Sequence, residues 1–171
     1  GELVAFQFVP VNLDTRSFGV EAQGDFALNR RWSLSAGFAW TDAELRDDDA
    51  FSGAQDGNPV PNVPALATTS TLSYRGDPGA WPGTRLAPFF TLTHQYMGER
   101  AVDVADSFDL AAYHNVDLRL GAAFGNVEAF AFARNLLDEE QEINGVLFGP
   151  GVEASALGRP RILGVGLTSR W

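Results

Sequence analysis

The stretch GRPRILGVGLTSRW, residues 158–171, decides the fold. Leu163, Val165, Leu167 and Trp171 fall on one side of an extended chain, and Gly164, Gly166, Thr168 and Arg170 fall on the other. This is the period of two that a β-strand imposes on its side chains. In a soluble sheet it would mean core on one side and water on the other. The aromatic residue at position 171 suggests a different setting, because an amphipathic ring at a strand end suits the boundary girdle of a membrane barrel.

The same alternation recurs upstream. Phe18, Val20, Ala22, Phe26 and Leu28 oppose Ser17, Glu21, Gln23 and Asp25, and after a tight turn at residues 29–31, Trp32, Leu34, Ala36, Phe38 and Trp40 oppose Ser33, Ser35, Gly37 and Thr41. Two such runs joined by a short polar turn read as a hairpin with one apolar face. A weaker strand is expected over residues 2–11, and others over 65–75, 85–96, 116–124 and 127–135. Pro88 conflicts with its strand, since proline cannot donate to a ladder, and a bulge is the expected remedy. Phe130 and Phe132 share one face with Arg134, so the arginine is expected to snorkel at an interface or to mark a change of phase. The expected fold class is therefore all-β: about eight antiparallel meander strands of a transmembrane β-barrel, with no helix.

Connections alternate in length. Residues 42–64, 98–112 and 136–157 form long loops, while the turns near Arg31, Asp77 and Asn126 are shorter. Long connections on one end and shorter ones on the other are the outer-membrane arrangement. Arg30, Arg31, Arg75 and Arg85 lie on the short-turn side, and most of the acid lies opposite.

Composition removes several function classes. The 171 residues carry a formal net charge of −10, and all 12 basic residues are arginine, so no basic face exists for nucleic acid. Without cysteine there is no disulfide, thiolate zinc site or thiol nucleophile. No apolar run nears the roughly 20 residues of a membrane-spanning helix, although alternating barrel strands need none. The absence of an initiator Met and of a signal peptide suggests a mature segment or fragment.

Four elements, taken in order, resemble the barrel of TonB-dependent outer-membrane receptors. They are Phe18-Gly19-Val20-Glu21, the run Tyr113-His114-Asn115-Val116-Asp117-Leu118-Arg119, the element Asn135-Leu136-Leu137-Asp138, and Gly158-Arg159-Pro160-Arg161 with its strand. Leu137 stands where the family usually has Phe, and Ser169 where it usually has an aromatic residue. The resemblance implies that residues 1–171 form the C-terminal third of a barrel of about 22 strands surrounding a plug. It implies TonB-dependent uptake of a scarce nutrient, such as a ferric siderophore, across a Gram-negative outer membrane. Implied partners are membrane lipid and lipopolysaccharide, the remaining strands and plug, TonB through that plug, and the barrel assembly machinery, which would read Leu163, Val165, Leu167 and Trp171.

Two alternatives stand beside it. One is a complete eight-stranded barrel serving as an outer-membrane anchor or adhesion protein. The other is a soluble β-sandwich in which the Phe18 and Trp32 faces meet in a core.

No catalytic constellation is present, and no cofactor or metal is implied. His94 shares the outward face with Leu92 and Tyr96 and suits an interfacial position, while His114 has no positioned nucleophile or metal partner in sequence. The candidate ligand-binding residues are the loop acids Asp47, Asp48, Asp49 and Asp56, with Glu139, Glu140 and Glu142. Clustered carboxylates suit a hard cation, or a divalent ion bridging to lipopolysaccharide, but they lack the Gly and terminal Glu of a calcium loop. Solvated loop acids are the competing reading. The lumen-facing Glu21, Gln23, Asp25, Asp117 and Arg119 are expected to line the wall and meet a plug.

Overall fold

The computed structural model describes residues 12–80, 82–149 and 151–169. The strand expected over residues 2–11 lies outside them, as do Trp81, Arg170 and Trp171. Eleven strands are described: β1 (Thr15–Ala27), β2 (Trp32–Leu45), β3 (Leu66–Arg75), β4 (Ala87–Met97), β5 (Arg100–Ala101), β6 (Asp109–Leu110), β7 (Tyr113–Phe124), β8 (Val127–Arg134), β9 (Glu142–Gly149), β10 (Val152–Leu157) and β11 (Ile162–Ser169). Seven form one antiparallel sheet in the order β1-β2-β3-β4-β7-β8-β11, and β5–β6 and β9–β10 are separate two-stranded ribbons.

Local chemistry sets the hairpins. The Asn29 Oδ1 accepts hydrogen bonds from the backbone N–H groups of Arg31 and Trp32, closing β1 onto β2. Gly125 takes a φ of 56° at the first position of its two-residue turn, where a side chain would be strained. Arg31 and Asp77 join two turns at this end through a 2.7 Å ion pair.

Pro88 needs no bulge. The β4–β7 register runs without a shift, and β4 meets β3 only from Phe89 onward. The Pro88 carbonyl accepts from Gly76 N–H, beyond the last ladder residue of β3. A strand residue directs its N and O to the same side, so the missing donor faces the turn and leaves β7 unaffected.

Register places the apolar residues on a single face. Val20, Trp40 and Leu66 line up, as do Phe26, Leu34, Leu72, Leu92 and Leu118. On the last two strands this face holds Ala129, Ala131, Ala133, Leu163, Val165 and Leu167. Among the described residues no second sheet covers it: Phe18, Phe26, Trp40, Leu120 and Val165 are all exposed. That excludes the sandwich, whose Phe18 and Trp32 faces would meet in a core. Trp32, Tyr74 and Phe90 cluster at the short-turn end, and Phe18 packs edge-on against Trp40 near the other. The eight steps from Trp32 to Trp40 cover roughly 26 Å along the strand, or about 20 Å along the membrane normal at a tilt of ~40°. Two aromatic girdles at that spacing fit a lipid-facing band.

The sheet does not close among the described residues, because β1 and β11 do not pair with each other. Both edges therefore carry unpaired backbone groups, which further strands would satisfy.

Candidate functional site

The concave face and the three long connections form the candidate site. On the concave wall, Glu21, Gln23, Gly37, Thr69, Gln95, Met97 and Tyr113 border a recess of about 670 Å³. A chain of amides runs into it from above: Gln141 Nε2 donates to Asn115 Oδ1, and Asn115 Nδ2 donates to Gln95 Oε1. Lower on the wall, the Arg119 guanidinium lies 4.6 Å from the Phe89 ring centroid and 4.0 Å from that of Phe130. It also reaches Glu128 at 3.2 Å, and Arg75 approaches the same carboxylate at 3.9 Å.

Phe130 and Phe132 thus face the interior with Arg119 and Glu128, not an outer interface, and Arg134 lies on the same face. The rings have room because β11 presents glycines opposite them. A methyl group at Gly164 would meet Phe132, and one at Gly166 would meet Phe130. Of the two expectations for Arg134, snorkelling gives way to the change of phase: its guanidinium lies 5.8 Å from the Phe132 ring on this face. The signal was present in Val127-Glu128-Ala129-Phe130-Ala131-Phe132-Ala133-Arg134: both charges share the parity of the phenylalanines.

The long connections are ordered by their own contacts. β2 continues to Leu45, past the expected loop start at Asp42, and pairs with β1 as far as Thr15. The following segment turns back along it: Leu45 N–H donates to Asn58 O, and Val60 N–H donates to Ala43 O. The second connection contains β5–β6, and the third, expected as a plain loop over 136–157, contains the β9–β10 ribbon. Asn58 Nδ2 donates to Val104 O at 3.0 Å and Asn62 N–H to Ala101 O at 2.9 Å. Gly145 lets the ribbon lie against Val102, Phe108 and Leu110. Leu45, Ala54, Ala101, Val102 and Leu110 are buried here, so the loops enclose a small apolar core.

The candidate acids fall into two groups. Asp47 accepts from Asp14 N–H, Asp48 from Asp56 N–H and Asp49 from Ser52 N–H, while Asp56 lies 3.4 Å from Arg46. Hydrogen bonds from Ser52, hydroxyl first and then backbone, hold the Asp49 carboxyl below its ordinary pKa. Glu142 joins the second and third connections. Its carboxylate accepts from Ser155 Oγ at 2.6 Å and Ala111 N–H at 2.8 Å, and its carbonyl accepts from Arg100. The Ser155 bond foremost, then that of Ala111 and the Arg100 charge, lowers its pKa against the opposing effect of burial. Glu139 is held through its backbone, whose carbonyl accepts from Asn135 Nδ2 and whose N–H donates to Asn135 Oδ1. The structure brings no three His, Cys, Asp or Glu side chains together as a metal-binding group among the described residues.

Three of the sequence elements converge at the foot of the third connection. The Asn135 N–H donates to Asp117 Oδ1, its Nδ2 donates to Glu139 O and Arg159 O, and its Oδ1 accepts from Glu139 N–H. Asp138 accepts from Arg161 N–H and lies 3.4 Å from the Arg161 guanidinium. Asn135 and Asp138 hold φ values of 47° and 57°, a left-handed geometry that Asn and Asp tolerate better than most residues. Sequence order revealed these elements; their meeting point emerges only from the fold.

The family model for "TonB dependent receptor-like, beta-barrel" matches residues 2–136. The chain belongs to this family. Such receptors are proteins of the Gram-negative outer membrane, which accounts for the uncovered apolar face. A search of curated proteins finds no match. Among solved structures, the ferric yersiniabactin uptake receptor FyuA of Yersinia pestis is similar at 20% identity and a TM-score of 0.78, over 91% of this chain and 23% of that one. BauA, the ferric preacinetobactin receptor of Acinetobacter baumannii, is similar at 15% identity and a TM-score of 0.72, over 91% and 22%. The siderophore receptor PiuA of the same organism gives 22% identity and a TM-score of 0.69, over 90% and 22%. The chain therefore spans about a quarter of the length of these receptors. Together with the open edges, this favours a portion of a large TonB-dependent barrel over a closed eight-stranded one.

Proposed function

We propose that this chain supplies wall and outer loops to a receptor that takes up a scarce nutrient, such as a ferric siderophore, with energy delivered through TonB. The observation that carries the reading is a polar concave wall roofed by interlocked loops, backed by a continuous apolar outer face. In this reading residues 1–171 are the C-terminal portion of the barrel, and the plug and remaining strands meet its inner face and open edges. Glu139 and Glu140, with the acid loop of Asp47, Asp48, Asp49 and Asp56 and the Glu142 junction, border the route of the ligand. Lipopolysaccharide contacts the outer girdle. The assembly machinery reads the strand of Leu163, Val165, Leu167 and Trp171; the first three are exposed on an open edge, and Trp171 lies outside the described residues.

The test is iron-limited growth and uptake of radiolabelled ferric catecholate, hydroxamate and citrate chelates in cells with and without the intact receptor. Uptake of at least one chelate should require both the receptor and TonB. Unchanged uptake of every chelate in the receptor-deleted strain would reject the siderophore reading.

A further inference from the structure

The β9–β10 ribbon carries the one asparagine of the chain that a glycine follows, Asn144-Gly145. Asparagine is a thermolabile residue. Its side-chain carbonyl is open to attack by the backbone nitrogen of the next residue, so that residue governs the rate. Asn58 precedes Pro59, which has no N–H to lose. Asn62, Asn115 and Asn126 precede valines, whose branched Cβ crowds the nitrogen. The fold restrains others: Asn29 Oδ1 accepts from two backbone N–H groups, and the Asn135 side chain is held by Glu139 and Arg159. Asn144 has neither protection.

Asn144 is exposed on β9, and the Gly145 N–H donates to Asn144 Oδ1 at 2.9 Å. The carbonyl carbon one bond behind that oxygen therefore stands within about 4 Å of the Gly145 nitrogen, near the separation from which attack begins. Glycine is fixed at 145 by packing, since a methyl group there would meet Val102, Phe108 and Leu110. The loop core thus demands the residue that shields its neighbour least. Attack also requires the backbone to turn at Asn144, which a central strand would resist. Among the described residues β9 pairs only with β10, and the register slips between Ala156 and Leu157, leaving Ile143 as an extra residue directly before Asn144. A bulged two-stranded ribbon opens locally at low cost.

We infer that Asn144 is a self-modifying site, at which the folded outer ribbon ages through a cyclic imide. The Gly145 nitrogen gives its proton to solvent and bonds to Asn144 Cγ. The Cγ–Nδ2 bond breaks, and the departing amino group takes up a proton and leaves as ammonia. Water then opens the ring at either carbonyl. Opening at Cγ gives aspartate, and opening at the main-chain carbonyl gives isoaspartate, so the net change is asparagine plus water to acid plus ammonia. Either product adds a carboxylate to a ribbon that already carries Glu142 and Glu153. Isoaspartate also lengthens the β9 main chain by one methylene beside Gly145. The close packing at Gly145 joins the third connection to the second, so that join loosens as conversion proceeds.

The experiment incubates the intact receptor, folded in detergent micelles at mildly alkaline pH, and follows every asparagine by peptide mass spectrometry with isoaspartate-specific detection. Asn144 should convert at least tenfold faster than any other asparagine and give both aspartate and isoaspartate, and Asn144→Gln should abolish the signal. Hydrogen exchange at residues 98–112 and 142–157 should quicken in the aged wild type and not in the aged Asn144→Gln receptor. Conversion of Asn144 only after unfolding in urea, or no faster than that of Asn126, would overturn the site. Aspartate without isoaspartate would overturn the imide route, and unchanged exchange after conversion would overturn the loosened join.

Discussion

The strand wall and the loop cluster solve the burial problem in opposite ways. On the wall, among the described residues and apart from Leu45 at the loop end of β2, only Phe89 and Ala133 are buried apolar side chains, and the rows that would form a core in a soluble protein face outward. The loop cluster, in the region usually assumed to be loose, holds Leu45, Ala54, Ala101, Val102 and Leu110 in a compact interior. The wall relies on continuous ladder hydrogen bonds and on lipid as its apolar partner. The loops stand in water and must make their own core. A receptor of this kind can therefore lose order in its loops without losing its wall.

The sharpest way to break that contrast is Leu110→Ala. Truncating a fully buried leucine costs about 2–5 kcal/mol. The cost should appear as faster hydrogen exchange across residues 98–112 and 142–157 of the intact receptor, with β2–β4 unchanged. Equal loss of protection in the wall would mean that the two regions unfold together.

Gly121→Ala tests the wall in turn. Its Cβ would collide with the Ala129 carbonyl and stand 2.8 Å from Phe130 Cα, so backbone must yield. A cost of about 1–3 kcal/mol is expected for such overpacking. Urea denaturation should show a lower midpoint than the wild type, while Gly166→Ala should cost less because it meets the movable end of the Phe130 ring.

Asn135→Ala probes the seam between the regions. It leaves the Glu139 N–H and the Glu139 and Arg159 carbonyls without their partner, at about 1–3 kcal/mol. Exchange should accelerate at β8 and β11 as well as in the third connection. An effect confined to the loop would remove Asn135 from the wall.

The smallest effect is expected from Glu142→Gln. The folded-state pKa of Glu142 lies below its ordinary 4.5, so its contribution is present above that value and disappears as pH falls through the folded value. Acid should loosen the junction of the second and third connections in the wild type. The glutamine variant should show a flatter pH dependence of exchange at Ala111, and an unchanged profile would separate Glu142 from the acid response.

The wall was legible because period-2 alternation survives wherever one face meets lipid: Trp32 to Trp40 reads correctly to the residue. It failed at Phe130 and Phe132, where the hydrophobic rings occupy the interior and alanines face outward. Only the facing Gly164 and Gly166 explain that exchange, and strand pairing brings them there. The β9–β10 ribbon was hidden for another reason. Ile143, Val146, Leu147 and Phe148 put apolar groups on both sides, so no alternation marks the strand. At the candidate site, the acids were visible in composition, but the donors that occupy Asp47, Asp48, Asp49 and Glu142 come largely from folding back, such as Asp14 onto Asp47 and Ala111 onto Glu142.

The clasp of Asn135 and Asp138 onto Arg159 and Arg161 has a consequence for how such a receptor diversifies. Together with Glu139 and Gln141 it closes the base of the third connection, so the β9–β10 ribbon beyond it is a cassette in a fixed socket. Exchange or lengthening of that cassette leaves the strand register on either side intact, and new binding surfaces can be sampled without rebuilding the membrane wall.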